Sequence, residues 1–216
     1  MMRSGNPVLN DNTFVRHIDL TGEDRMTLMG TVHKTAFLLV LLMITASVTW
    51  GMVFAREASV FGFMIGGAIG GLIFALITIF KPTWAPVTAP IYAALEGLFI
   101  GALSAFAESQ FPGIVLQAVG LTFGTLFALL AAYRSGLIRA TENFKLGVCA
   151  ATGGICLVYM VSIVLRIFGT EIPLIHDAGW FGIGFSAFVV VIAALNLVLD
   201  FDFIEKGTEM GAPKYM

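Results

Sequence analysis

The chain has 216 residues, 58% of them hydrophobic and 12% charged, with a mean hydropathy of +0.92 and a formal net charge of −2. Soluble domains carry roughly 25% charged residues, so half that content excludes a disordered chain and a basic nucleic-acid-binding domain. The two cysteines exclude a disulfide framework.

Residues 1–33 read as a polar N-terminal arm mixing Asn, Asp, Thr and Arg. Within it a short interfacial helix capped by Asp19 or Thr21 and a mobile tail are both open. Apolar runs follow, each near the roughly 20 residues that cross a hydrocarbon layer about 30 Å thick. They are Thr35–Ala55, Ser59–Phe80, Trp84–Ala107, Gly113–Tyr133, Leu146–Phe168 and Trp180–Leu199. Strands of a membrane barrel would be about ten residues long with alternating polarity, whereas these runs are continuously apolar. The expected fold is therefore an all-α, polytopic transmembrane helix bundle with six spans over residues 34–206. Residues 207–216 read as a cytoplasmic tail or the start of a truncated linker. The first run lies behind the polar arm, which excludes a cleavable secretory signal.

Ten of the twelve Lys and Arg residues fall on one side of this topology: in the arm, at Lys81, in the fourth-to-fifth loop (Arg134, Arg139, Lys145) and in the tail. Arg56 and Arg166 fall on the other, where Arg166 snorkels to the interface. The bias puts the N-terminus in the cytoplasm.

Small residues mark close helix packing in lipid. The second run carries Gly62, Gly66 and Gly70 at four-residue spacing, with Gly67 and Gly71 as a second pair; the third carries Gly97, Gly101 and Ala105. These faces read as helix-packing surfaces or as a thin wall beside a cavity. Cys149 and Cys156, about 10 Å apart on one helix face, cannot bridge and read as small core residues.

An ionisable side chain at membrane depth is costly and marks a candidate site. Glu96, about midway along the third run, is either an acid locking that helix to a neighbour or a proton or cation site. Asp200 and Asp202 stand where the sixth run ends. Acids oppose the dipole at a helix C-terminus, so the helix is expected to continue through Phe203 and Ile204 to Glu205 and Lys206. Asp200 then lies inside it, sharing a face with Asn196, while Asp202 can pair with Lys206. Glu108 stands at the outer end of the third run, and Glu171, His176 and Asp177 in the outer loop. His17, His33 and His176 are scattered, without metal-ligand spacing, and no nucleophile motif or nucleotide loop occurs. The chain is therefore expected to be no enzyme, with no cofactor or metal.

Three segments carry a family resemblance. "PIYAALEGLFIGALSAFAE" (Pro90–Glu108) resembles the third-helix signature of the Bax inhibitor-1 family, "LNLVLDFDFIEKGTEMGAPKYM" (Leu195–Met216) its sixth-helix end, and "RSGNPVL" (Arg3–Leu9) the arm of its bacterial branch. The resemblance implies a fold of seven helices, six around a central seventh, in a bacterial cytoplasmic membrane. It implies a pH-sensitive calcium leak, while eukaryotic members suppress cell death and some bacterial members modulate a membrane-embedded ATP-dependent protease. The leak is attributed to two acids, on the sixth and seventh helices, that share a proton and titrate as a unit; Asp200 matches the first. Two departures stand out. The chain ends at Met216, before a seventh helix, and is expected to be truncated; and the second run lacks the family's arginine, Arg56 being only at its border. The expected function is a cation (calcium) leak channel or transporter with Asp200, Glu96 and Asp202 as ion-binding or gating residues. The alternative is a non-conducting regulator that binds membrane proteins, such as that protease, through the glycine faces and the arm. The lipid bilayer, calcium or protons are the expected partners.

Overall fold

A computed structural model describes residues 25–55, 60–169 and 179–215. Asp19, Thr21 and His17 of the arm, Arg56, and Glu171, His176 and Asp177 of the outer loop lie outside the described residues. The helices are α1 (Leu28–Phe54), α2 (Val60–Phe80), α3 (Ala85–Gln110), α4 (Ile114–Arg134), α5 (Glu142–Ile167) and α6 (Trp180–Glu209). All six are long and apolar enough to cross a membrane. The only β pairing among the described residues is an isolated bridge between Arg25 and Pro213.

The described residues divide into two compact units, one within 25–122 together with 207–215 and the other within 123–206. In the unit that contains α1 to α3, α3 packs against both α1 and α2. Helix α1 begins about two turns before Thr35, where the apolar run alone places its start. The signal is Thr27, whose hydroxyl accepts from Gly30 N at 3.1 Å and caps the first turn. The polar residues Thr31, His33 and Lys34 are therefore helical, and the Lys34 ammonium donates to the Lys214 carbonyl. Nearby, Met26 N donates to Ala212 O at 2.6 Å. Ala212 and Pro213 are buried, and burial pushes the Tyr215 phenol up from its ordinary pKa.

Lys81 ends α2 with its ammonium 4.5 Å from the Trp84 ring centre, and the 3-10 turn Pro82–Trp84 leads into α3. Pro86 sits in the first turn of α3, where no intrahelical N–H is required. The half-buried Thr78 hydroxyl donates to Thr88 Oγ1 at 2.7 Å, and the buried Thr88 donates to Trp84 O at 3.1 Å, so neither hydroxyl is orphaned. The buried residues of α3 are all small: Thr88, Ala93, Gly97, Gly101, Ala102 and Ala105.

The α3–α4 turn is closed by Glu108. Its carboxylate accepts from Gly113 N at 2.6 Å and Val115 N at 3.1 Å, and so caps the start of α4. Gly113 has φ +87°, a left-handed conformation that suits glycine. Glu108→Ala is expected to cost about 1 kcal/mol, read as faster amide hydrogen exchange confined to the first turn of α4.

In the other unit, Thr141 caps α5 by accepting from Phe144 N at 3.3 Å, and Glu142 favours the positive helix end. Asn196 Nδ2 ties α6 to α5 through Thr152 Oγ1 at 2.9 Å. Val198, Leu199 and Phe203 supply the buried apolar surface of α6. That helix continues through Asp200 and Asp202 as far as Glu209.

Two details correct the sequence reading. Cys149 is only part-buried and Cys156 is exposed, so they are not core residues. On α2, Gly62 is exposed and a Cβ on Gly66 would meet nothing within 4 Å; the inward face is instead that of Gly67 and Gly71. Both differences have one cause. Lipid is as apolar as a protein interior, so hydropathy does not say which side of a spanning helix faces its neighbours.

Candidate functional site

Helix α6 turns by about 100° per residue, so Asp200 and Asp202 point to different sides. Asp202 is saturated. Its carboxylate lies 2.8 Å from the ammonium of Lys145 on α5 and 2.8 Å from that of Lys206 one turn on. The Lys145 side chain is 4% exposed and also reaches Glu142 at 3.3 Å. Two ammonium groups on one carboxylate suit a charge held out of water, which needs partners on every side to persist.

Asp200 has no such company. It is half-buried, and among the described residues it makes no ion pair and no side-chain hydrogen bond. Asn196, one turn earlier on the same face, directs its amide to Thr152 Oγ1 and to Ile192 O instead. The structure thus separates two acids that stand two residues apart: one is fixed by lysines, the other is left over.

Glu96 belongs to the unit built on α1, α2 and α3. A Cβ added to Gly71 would meet its Oε1 at 3.4 Å, an ordinary van der Waals contact, so this carboxylate lies against the Gly71 side of α2. Tyr92 stands one turn before it, within interaction range. The neighbouring glycines of α3 do a different job. A Cβ on Gly97 would lie 2.5 Å from Leu42 O, and one on Gly101 would lie 2.8 Å from Ala46 Cα. Gly67 meets Leu95 O at 2.8 Å in the same sense, and Gly70 meets the Leu95 side chain at 3.2 Å. Backbones approach here to distances that only glycine permits.

The side chain that the sequence reading passed over is Lys145. It counted only as one positive charge in the fourth-to-fifth loop, yet it is the first-turn residue that α5 buries against Asp202. The available signal was Thr141, which as a cap starts α5 before the apolar run begins. Tyr133 is a second omission; its hydroxyl donates to Glu205 at 2.5 Å. Among the described residues no group of three His, Cys, Asp or Glu side chains could hold a metal ion.

Continuous apolar helices with a few specifically placed charges define a polytopic α-helical integral membrane protein. The family model described as Bax inhibitor 1 like matches residues 6–216, and the chain belongs to that family. Neither the curated proteins nor the solved structures contain a match.

Proposed function

We propose that the protein is a pH-sensitive cation leak, with calcium as the ion and Asp200 as the gating acid. One observation supports this reading above the rest: Asp200 is a carboxylate inside a spanning helix without a compensating cation among the described residues, while Asp202 has two. An acid left uncompensated at such a position is costly, which marks it as a candidate functional residue. Protonated, it is neutral and compatible with a closed helix bundle; ionised, it draws in water and a cation. Glu96, which lies against Gly71 of α2, is a supporting cation or proton site. Family membership agrees with the leak that the sequence resemblance implies. The bias of basic residues supports a cytoplasmic N-terminus, and the resemblance to the bacterial branch supports a bacterial inner membrane.

The test is calcium flux into proteoliposomes across the neutral pH range. Wild-type flux is expected to rise with pH by up to about tenfold per unit, the limit for one titrating group. Asp200→Asn is expected to be flat. Equal profiles for the two proteins would sink the assignment.

A second reading rests on a different observation. Cβ atoms on Gly120 and Gly124 of α4, or on Gly153 and Gly154 of α5, would meet nothing within 4 Å. Such bare faces suit a partner helix, as a non-conducting regulator of a membrane protease requires. A partner lost on Gly124→Leu, with no calcium flux in the wild type, would favour it.

A further inference from the structure

The segment joining α4 to α5 borders a cavity of about 450 Å³, within the range of small-molecule sites. Its lining includes Tyr133, Arg134, Arg139, Thr141, Asp202 and Glu205. The charges around it are unequally matched. Asp202 is held by Lys145 and Lys206, Glu142 by Lys145, and Glu205 accepts from Tyr133. Neither Arg134 nor Arg139 forms an ion pair among the described residues. Lys145 and Lys206 balance Asp202 and Glu142, and Arg134 and Arg139 exceed the remaining acid, Glu205, by one positive charge.

A third feature adds to that surplus. Thr141 is the N-cap of α5, so the wall it supplies is the positive end of a 26-residue helix, where the Thr141 hydroxyl takes up Phe144 N and Glu142 offsets part of the positive end. Guanidinium groups beside a helix N-terminus form a binding arrangement for an oxyanion, above all phosphate. The surroundings favour a source in lipid. α4 and α5 are both long and apolar enough to span, which sets the loop between them at headgroup level. Ile138 lines the cavity and Leu137 beside it is 82% exposed, an apolar tip suited to acyl chains.

We propose that this cavity binds a phosphate group, such as that of a phospholipid headgroup, with Arg134 and Arg139 as its ligands. The site is separate from the leak pathway assigned to Asp200 and stands or falls without it. It gives the α4–α5 loop a fixed anchor at the membrane surface.

The experiment titrates the purified full chain, in maltoside micelles free of phosphate, with short-chain phosphatidylglycerol or with inorganic phosphate. Native mass spectrometry counts the bound copies. Wild type is expected to take up one copy, and the double variant Arg134→Gln/Arg139→Gln to bind at least about tenfold more weakly, the loss of one or two charge-assisted contacts. Arg134→Lys/Arg139→Lys keeps the charge and loses the planar fork, so an intermediate affinity is expected. Lys81→Gln, which removes a cation elsewhere on the chain, should bind as wild type does. Saturation by the lipid alone supports a headgroup, and displacement of the lipid by inorganic phosphate supports a free-phosphate site. No binding of either probe, an unchanged affinity in the Gln variant, or an equal loss in Lys81→Gln overturns the proposal. An unchanged unfolding temperature of the Lys variant shows that its lost affinity is local.

Discussion

Gly97→Leu is expected to separate α1 from α3 and to destabilise the protein by about 3 kcal/mol, the upper end for overpacking a tight contact. The reason is what stands opposite. A flexible side chain can swing away from an intruding methyl group, but the carbonyl of Leu42 belongs to the backbone of α1 and moves only if the helix does. Thr45 adds to the obstruction: its hydroxyl is held by hydrogen bonds to Leu41 O and Leu42 O and lies against the same spot. Gly101→Leu meets the Ala46 backbone and should behave alike. The contrast is Gly66→Ala. A methyl group there meets nothing, so its effect should stay within about 0.5 kcal/mol. The measurement is thermal unfolding in micelles. A Gly97→Leu protein as stable as Gly66→Ala would show that α1 and α3 do not touch along this face.

Asp202→Ala should be the second large loss, again about 3 kcal/mol, at the lower end for breaking a buried ion pair because Asp202 keeps 14% of its side chain exposed. Removing the carboxylate leaves the Lys145 ammonium, 4% exposed, with only the outlying Glu142 at 3.3 Å. Lys206 is less affected, since its side chain is 31% exposed and can turn to water. Removing both partners is different in kind. Lys145→Met/Asp202→Leu exchanges a charged pair for apolar groups of similar volume, which is often neutral or better. The double variant should therefore recover most of the stability lost by Asp202→Ala. If Asp202→Ala is as stable as the wild type, or if the double variant is worse than the single one, the ion pair does not hold α5 to α6.

These two sites show what could and could not be read from the chain alone. The six spans were legible because a run of apolar residues closed by Lys81-Pro82 or Arg134 is a local property, and each helix covers its run to within one residue. The beginning of α1 was not, because the hydropathy of Thr31, His33 and Lys34 argues against a helix that Thr27 nevertheless caps. The rotation of α2 was also hidden: Gly66 and Gly67 are equally small, and only the position of Leu95 on α3 distinguishes them. Asp202 with Lys206 could be anticipated from i,i+4 spacing. Thr141 could place Lys145 in the first turn of α5, but its pairing with Asp202 could not be read, since that partner is far away in sequence. Glu96 and Asp200 drew notice for one physical reason, the cost of an acid in lipid; their environments, a contact with Gly71 of α2 for one and no matching cation among the described residues for the other, are properties of the folded chain.

The hydrogen bond from Met26 N to Ala212 O, with the Arg25–Pro213 bridge beside it, carries a constraint of parity. Two backbone segments 2.6 Å apart occupy the same side of any bilayer. The path from one to the other must then cross an even number of times. Helices α1 to α6 satisfy that with one crossing each, and any arrangement in which a single one of them lay flat or re-entered would break it. This is a check on topology that uses no charge and no hydropathy, only the closure of a loop.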